Sequence, residues 1–289
     1  MGACLQRSRH VNTDVQAERD FSKWQLEVGH GKHTDDLGKF TLPDHFKCTE
    51  NTIASLIQII YPGINSLPLL PDSYFAECTI LTSRNDDVDD INSEMLKMFP
   101  GVEKVLMSAD SVKNNGDDNE EGMLMYPVEY LNSIHCSGLP LAALLLKVGC
   151  PVMVLRNLNP GEGACNGLRG VVTRMNNHVL EIRLLTGSHA GKTSFIPRLS
   201  LIPSSTQVPF ELCRRQFPVR VCFSMSINKS QGQSVKYVGL DLRNRVFTHG
   251  QLYVAISQVT SVNNIKAIWD SQLGQPITKN IIYPEVIID

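Results

Sequence analysis

Residues 219–234 read VRVCFSMSINKSQGQS. In the first part Val219, Val221, Phe223, Met225 and Ile227 alternate with other side chains, the period of a β-strand with one buried face. The second part places a lysine, hydroxyls, amides and a glycine directly after that strand, which predicts a polar strand-to-helix turn. Backbone and side-chain donors in such a turn suit phosphate groups of a nucleic acid or a nucleotide. Downstream, KYVGLDL (236–242) predicts another strand, HGQLYVAISQV (249–259) a helix and NIKAIW (264–269) a last strand. Strands alternating with helices mark an α/β sheet.

The N-terminal third continues the same grammar. Ala17, Phe21, Trp24 and Val28 recur at helical spacing, with Gly29 as the expected C-cap. A second helix fits TIASLIQIIYP (52–62), where Ile53, Leu56, Ile57 and Ile60 share a face and Pro62 ends it. CTILTS (78–83) is a short buried strand. It leads into RNDDVDDINSEMLKMF (84–99), with Val88, Ile91, Met95 and Met98 on one side and acids in the first turn, where the helix dipole favours them. KNNGDDNEEG (113–122) is loop by composition. From residue 146 to 203 the text changes to short strands with turn signals at Gly161, Gly167, Asn176 and Gly187, the pattern of a small antiparallel barrel. The expected organisation is an α/β domain over 1–126 and 206–289, interrupted by an all-β insert over 127–205.

Composition sets the outer bounds. With 289 residues, 42% hydrophobic and 19% charged, the chain is long enough for about two ordinary globular domains. No apolar run reaches a membrane span, and MGACLQRSRH lacks the apolar core of a signal peptide. Eight cysteines without a C-x-x-C pair suit reduced thiols in a nuclear or cytosolic protein. The net charge of -2 divides unevenly: residues 132–289 hold 16 Lys+Arg against 7 Asp+Glu, a balance of +9, which leaves -11 for residues 1–131. A basic C-terminal half is expected to face a polyanion.

Two motifs invite a stronger reading and lose it on spacing. GSHAGKT (187–193) ends as a phosphate-binding loop does, but Gly187 and Gly191 are one residue too close, and the flanking HVLEIRLLT and SFIPRLSLIP predict strands rather than a strand and a helix. It is expected to be a turn. His30, His33, His45 and Cys48 have ligand types that zinc accepts, yet they sit in polar loop text with nothing to reinforce them, so no metal site is expected.

Several longer stretches carry a family resemblance. INKSQGQS, VFTHGQLYVAISQVTS and LTSRNDDVDDIN resemble, in order, motifs of the second motor domain of Pif-type (petite integration frequency) DNA helicases of superfamily one, and among them the branch carried by Helitron transposons. FSKWQLEVGHGKH, YLNSIHCSGLP, LKVGCPVMVLRNLNPGEGACNG and RRQFPVRVCFSMSINKSQGQS resemble the same branch. The resemblance implies a RecA-like parallel sheet flanked by helices and interrupted by a small Src-homology-like barrel. It also implies a partner, single-stranded DNA, along which such motors step 5′ to 3′. By the same resemblance Lys229, Ser230 and Gln231 face the strand with His249 and Gln251 nearby, and the inserted barrel, with Arg156, Arg169 and Arg174, lies over its path. Gly232 and Gln258 fall at nucleotide-binding positions. In the family a first motor domain supplies the phosphate loop and the magnesium-binding acid, and the second supplies arginines to the γ-phosphate. ATP and Mg2+ are therefore expected only with a first motor domain, which this sequence does not contain. Gln258 stands where the family reads YVALSR, and His10 falls near a second arginine position of the family. The expectation is a helicase portion that is inactive alone, or a non-enzymatic module that binds single-stranded DNA.

Overall fold

The computed structural model describes residues 2–113, 126–136, 138–158, 161, 164–203, 208–233, 235–283 and 285, leaving aside the side chains of residues 2–15 and 113. They form two compact units. The first is built from Met1–Ile64, Glu77–Met95 and Phe223–Asp289, the second from Asn65–Ala76 and Leu96–Cys222. The insert expected over 127–205 thus lies inside a larger second unit. The reason is strand pairing: residues before 127 and after 205 contribute strands to the same small sheets.

The core of the first unit is a four-stranded sheet, all parallel, in the order β13 (Ser224–Ser226), β2 (Cys78–Thr82), β14 (Tyr237–Leu242), β15 (Ile265–Trp269). Every residue of β2 is buried, as a central parallel strand requires. Helix α2 (Ile53–Ile60) begins at Thr52, whose hydroxyl accepts from the Ser55 N–H, and buries Leu56, Ile57 and Ile60. It packs on β14 so closely that a Cβ at Gly239 would come within 2.9 Å of Ile60, so only glycine fits there. Tyr61 follows and donates its hydroxyl to the carbonyls of Cys78 and Phe223. The next helix, α4 (Asn85–Met98), buries Val88, Ile91 and Met95 as its spacing predicts, but Met98 is exposed. Met98 shares the angular position of the buried Ile91 but is the last residue of the helix.

Helix α1 (Gly2–Gly29) buries Phe21 and Val28 and sets Trp24 against Phe40 and Phe46, 6.1 and 5.7 Å between ring centres. Ala17, expected on the same face, is exposed because packing begins only at Phe21. The helix ends in a Schellman pair, Lys32 N–H to Glu27 C=O and Gly31 N–H to Val28 C=O. The left-handed residue is therefore Gly31, at φ 78°, and not the expected Gly29. Gly29 instead gives room to Tyr253, whose ring would lie 3.0 Å from a Cβ there. After α1, strand β1 (Lys39–Thr41) pairs antiparallel with β16 (Ile277–Lys279), joining the two ends of the described chain.

The second unit contains helix α3 (Asp72–Glu77), all but its last residue, and α5 (Val128–Ser133). Its strands are antiparallel and form small sheets. The largest runs β12 (Val219–Val221), β6 (Pro151–Val154), β7 (Arg169–Met175), β8 (Val179–Leu184), β9 (Thr193–Pro197). A second joins β10 (Leu199–Leu201), β11 (Glu211–Gln216) and β4 (Ala109–Lys113), and a ribbon pairs β3 (Lys104–Met107) with β5 (Ala143–Leu146). The GSHAGKT stretch is the turn between β8 and β9, which pair from Val179↔Pro197 to Arg183↔Thr193. Arg214 on β11 is buried and forks onto Asp110 on β4 at 2.7 to 3.1 Å, while donating also to the carbonyls of Leu131, Ile134 and Pro140. Each of its three nitrogens donates at least one hydrogen bond, which is what allows a guanidinium to be buried.

The stretch 219–227 does not form one strand. Val219–Val221 belongs to the antiparallel sheet of the second unit, and Ser224–Ser226 to the parallel sheet of the first. Alternation runs through the break because residues on both sides are buried. No helix among the described residues is long and apolar enough to cross a membrane.

Candidate nucleic-acid interface

In an open parallel α/β sheet, ligands gather at the carboxyl ends of the strands, where the loops lie. Two of those loops hold most of the residues singled out by sequence. Helix α6 (Ile227–Ser230) follows β13 immediately. Ile227 is buried and anchors it, and Ser230 is also buried (1% exposed), its hydroxyl donating to the Ile227 carbonyl at 2.7 Å. That leaves Asn228, Lys229, Gln231 and Gly232 exposed, with Gly232 at φ 77° turning the chain. Lys229 and Gln231 therefore present their polar ends outward from one turn. Ser230, expected to face a bound strand, faces the fold instead.

The second loop connects β14 to helix α7 (Gln251–Ile256), which packs against α6. Its beginning is pinned by Arg243 on the buried carboxylate of Asp241 (2.9 and 2.7 Å) and by Asn244, which donates to Asp87 on α4 (2.9 and 3.0 Å). Burial raises the Asp87 carboxyl above its ordinary value, opposed by the Asn244 amide. The end of the loop turns on Gln251. Its amide oxygen accepts from the Phe247 and Thr248 N–H groups at 2.9 and 3.4 Å, and the residue is 2% exposed. Gln251 was expected beside a bound strand; it is buried, its Oε1 shapes the loop, and its Nε2 has no hydrogen-bond partner among the described residues. His249 is half-buried, stacks on Tyr283 (5.5 Å, 16°) and accepts the Tyr283 N–H on Nδ1 at 2.9 Å.

Gln258 lies past the far end of α7, half-buried, with Nε2 donating to the Val254 carbonyl at 2.9 Å. The carbonyls on either side of it are held from α1: Gln25, buried, donates to both Ile256 and Val259 at 2.9 Å. Nothing in the sequence pattern distinguished Gln25 from a surface glutamine, and the same holds for Phe247 and Tyr283. His10 lies in α1, its side chain outside the described residues. In the second unit Arg174 is exposed and Arg156 half-buried, but Arg169 is fully buried with a guanidinium N–H on the Phe75 carbonyl, so it is not open to phosphates.

No group of three or more metal-ligating side chains comes together among the described residues. His33 binds the Glu27 carboxylate, and His45 meets Phe46 edge-on. The Gly-Lys-Thr closes a β-hairpin, and the Gln258 amide is turned back on its own helix.

The parallel sheet with its flanking helices and antiparallel second unit defines a RecA-like α/β fold. Comparison with known proteins agrees. The family described as "DNA helicase Pif1, 2B domain" matches residues 129–175. The chain is 29% identical over 234 residues to the ATP-dependent DNA helicase PIF1 of Danio rerio, covering 76% of this chain and 33% of the relative. With its counterpart in Homo sapiens it is 31% identical over 194 residues, 66% of this chain and 27% of the relative. The crystal structure of the Pif1 helicase from Candida albicans superposes with a TM-score of 0.52 at 20% identity, over 86% of this chain and 53% of that one. The chain is thus similar to Pif1 helicases and spans about a third or less of the length of those two curated relatives.

Proposed function

We propose that the chain is the part of an ATP-dependent DNA helicase that grips single-stranded DNA and completes, from its second motor domain, an ATP site whose phosphate loop and magnesium ligand come from a first motor domain. Lys229 and Gln231 are the strand-facing residues, with His249 beside them, and Gly232 keeps its nucleotide-binding position. The observation that carries this reading is the α6 turn, where a buried isoleucine and a back-bonded serine hold an exposed lysine and amide at the carboxyl edge of the parallel sheet. Ser230 and Gln251 act one layer below, fixing the turns that carry the others. Gln258 occupies the family's arginine position. A neutral amide there cannot neutralise charge on a phosphoryl group as a guanidinium does. The chain by itself therefore binds DNA and does not turn over ATP.

The test is fluorescence anisotropy with a labelled oligothymidylate across a salt series, run beside an ATPase assay. Binding should weaken steadily with salt, because released counterions supply most of the affinity. Lys229→Ala should weaken binding and flatten the salt slope by about 0.7, the value of one phosphate contact on a single strand. Lys32→Ala, which removes the same charge from the exposed turn after α1, should change little. Equal effects of the two substitutions would remove the assignment to the α6 turn. Hydrolysis should stay at background with or without DNA, and turnover abolished by Lys192→Ala would mean that the β8–β9 turn is a phosphate site after all.

A further inference from the structure

The loop before α7 carries aromatic surface that the phosphate contacts do not use. Phe247 is 56% exposed, and Tyr283, at the C-terminal end of the described chain, is 48% exposed although one side of its ring lies against His249. An offset parallel pair of rings behaves as one plate whose outer side remains open. The plate is fixed by main-chain bonds: Tyr283 N–H to His249 Nδ1, Gly250 N–H to the Ile281 carbonyl, and Phe247 N–H to Gln251 Oε1. Rings ordered in advance lose little freedom when a ligand arrives. An isolated exposed ring needs no explanation, but here two lie in the loop that leads into the helix packed against the Lys229 turn, and a third in the segment stitched to that loop.

We propose that the His249–Tyr283 pair, flanked by Phe247, is a base-stacking platform for an unpaired nucleobase of the strand whose phosphates meet Lys229. This rests on the DNA-binding role proposed above and adds to it a site for the base itself. Every base has a π-face, so the platform would be tolerant of sequence. A peptide aromatic would fit the rings too, but the exposed Lys229 and Arg245 nearby in the chain favour a ligand that brings negative charge with its rings.

The experiment compares two labelled 12-mers on the full chain, oligothymidylate and an abasic oligomer with the same number of phosphates. Wild type should prefer the oligothymidylate. Tyr283→Ala should weaken that binding roughly 5- to 100-fold, the range found when one stacking ring is removed, and leave abasic binding unchanged. Lys229→Ala should weaken both. Tyr283→Phe keeps the ring and should bind as wild type, which separates loss of stacking from loss of folding. As a measurement that needs no variant, 2-aminopurine in the oligomer should be quenched when wild type binds. Equal wild-type affinity for both oligomers, an unchanged or equally weakened pair of affinities in Tyr283→Ala, or no quenching would each overturn the platform while leaving the phosphate grip in place. A wild type that binds neither oligomer would overturn both.

Discussion

Gln25 and Arg214 are polar residues in the interior, and each donates to main-chain carbonyls there. For Gln25 the carbonyls are those of Ile256 and Val259, flanking residue 258. Gln25→Ala removes two donors from buried acceptors and should lower stability by about 1–3 kcal/mol in denaturant unfolding. Asp110→Ala should be worse, about 3–5 kcal/mol, since it strands the Arg214 guanidinium in the interior. If the two substitutions cost the same, the Arg214 carbonyl contacts suffice without the carboxylate. Residues of this kind mark the limit of the sequence reading. Lys229 and Gln231 were legible because they follow a strand in a recognisable turn. Ser230 and Gln251 were assigned to a surface because a polar letter does not say whether its partner is a ligand or a backbone. Arg169 failed in the same way.

Among the elements, the helices and strands of the first unit were legible wherever a stripe of apolar residues faced one neighbour. Helix α2, strands β2, β14 and β15 and the β8–β9 hairpin fall where their periods put them. The failures have physical causes. The chain from Val219 to Ser226 passes between two sheets without a polar interruption, so alternation has no break to show. At the end of α1 two glycines compete, and only the hydrogen bonds reveal that Gly31 supplies the left-handed residue while Gly29 makes room for Tyr253. Gly31→Ala should therefore cost about 1–2 kcal/mol, the penalty of a side chain in that conformation. Gly29→Val should act differently, by pushing on α7: it should weaken the packing of Tyr253, read as a change in that residue's environment by NMR. A Gly31→Ala protein as stable as wild type would move the cap elsewhere.

At the scale of the whole molecule, the described thiols sort by burial. Cys48, Cys78, Cys136, Cys150 and Cys222 are buried, and burial pushes the Cys150 thiol up to about 12, whereas Cys165 and Cys213 are partly open. A thiol-specific alkylating reagent at neutral pH should label Cys165 and Cys213 in the native protein and the other five only on unfolding, measured by mass spectrometry. Early labelling of Cys150 would mean that its sheet opens readily. The role proposed for residue 258 has its own test. A hybrid carrying the phosphate-loop domain of an active relative ahead of Met1 should hydrolyse ATP slowly, and Gln258→Arg should raise its DNA-stimulated rate by about 10³-fold. His10→Arg should add to this if residue 10 holds the second arginine position, though two groups acting on one transition state need not add. A hybrid already as fast as the relative would show that Gln258 is not at the catalytic position.

The three-segment construction of the first unit has a consequence for how the protein comes into being. A ribosome delivers β2 while both of its neighbours in the sheet, β13 and β14, are still unmade, since they lie beyond residue 223. Every strand of the second unit has its partners before that point. Synthesis order therefore runs opposite to the order of functional interest: the unit without the Lys229 turn is finished first, and the apolar Cys78–Thr82 waits uncovered. Nascent chains stalled after residue 222 should resist limited proteolysis within strands β6 to β9 but be cut within 17–64 and 77–95, and release of the full chain should protect both. The edge that carries Lys229 is thus among the last parts of the molecule to exist, and a chain halted early leaves the ribosome with an apolar strand still looking for a neighbour.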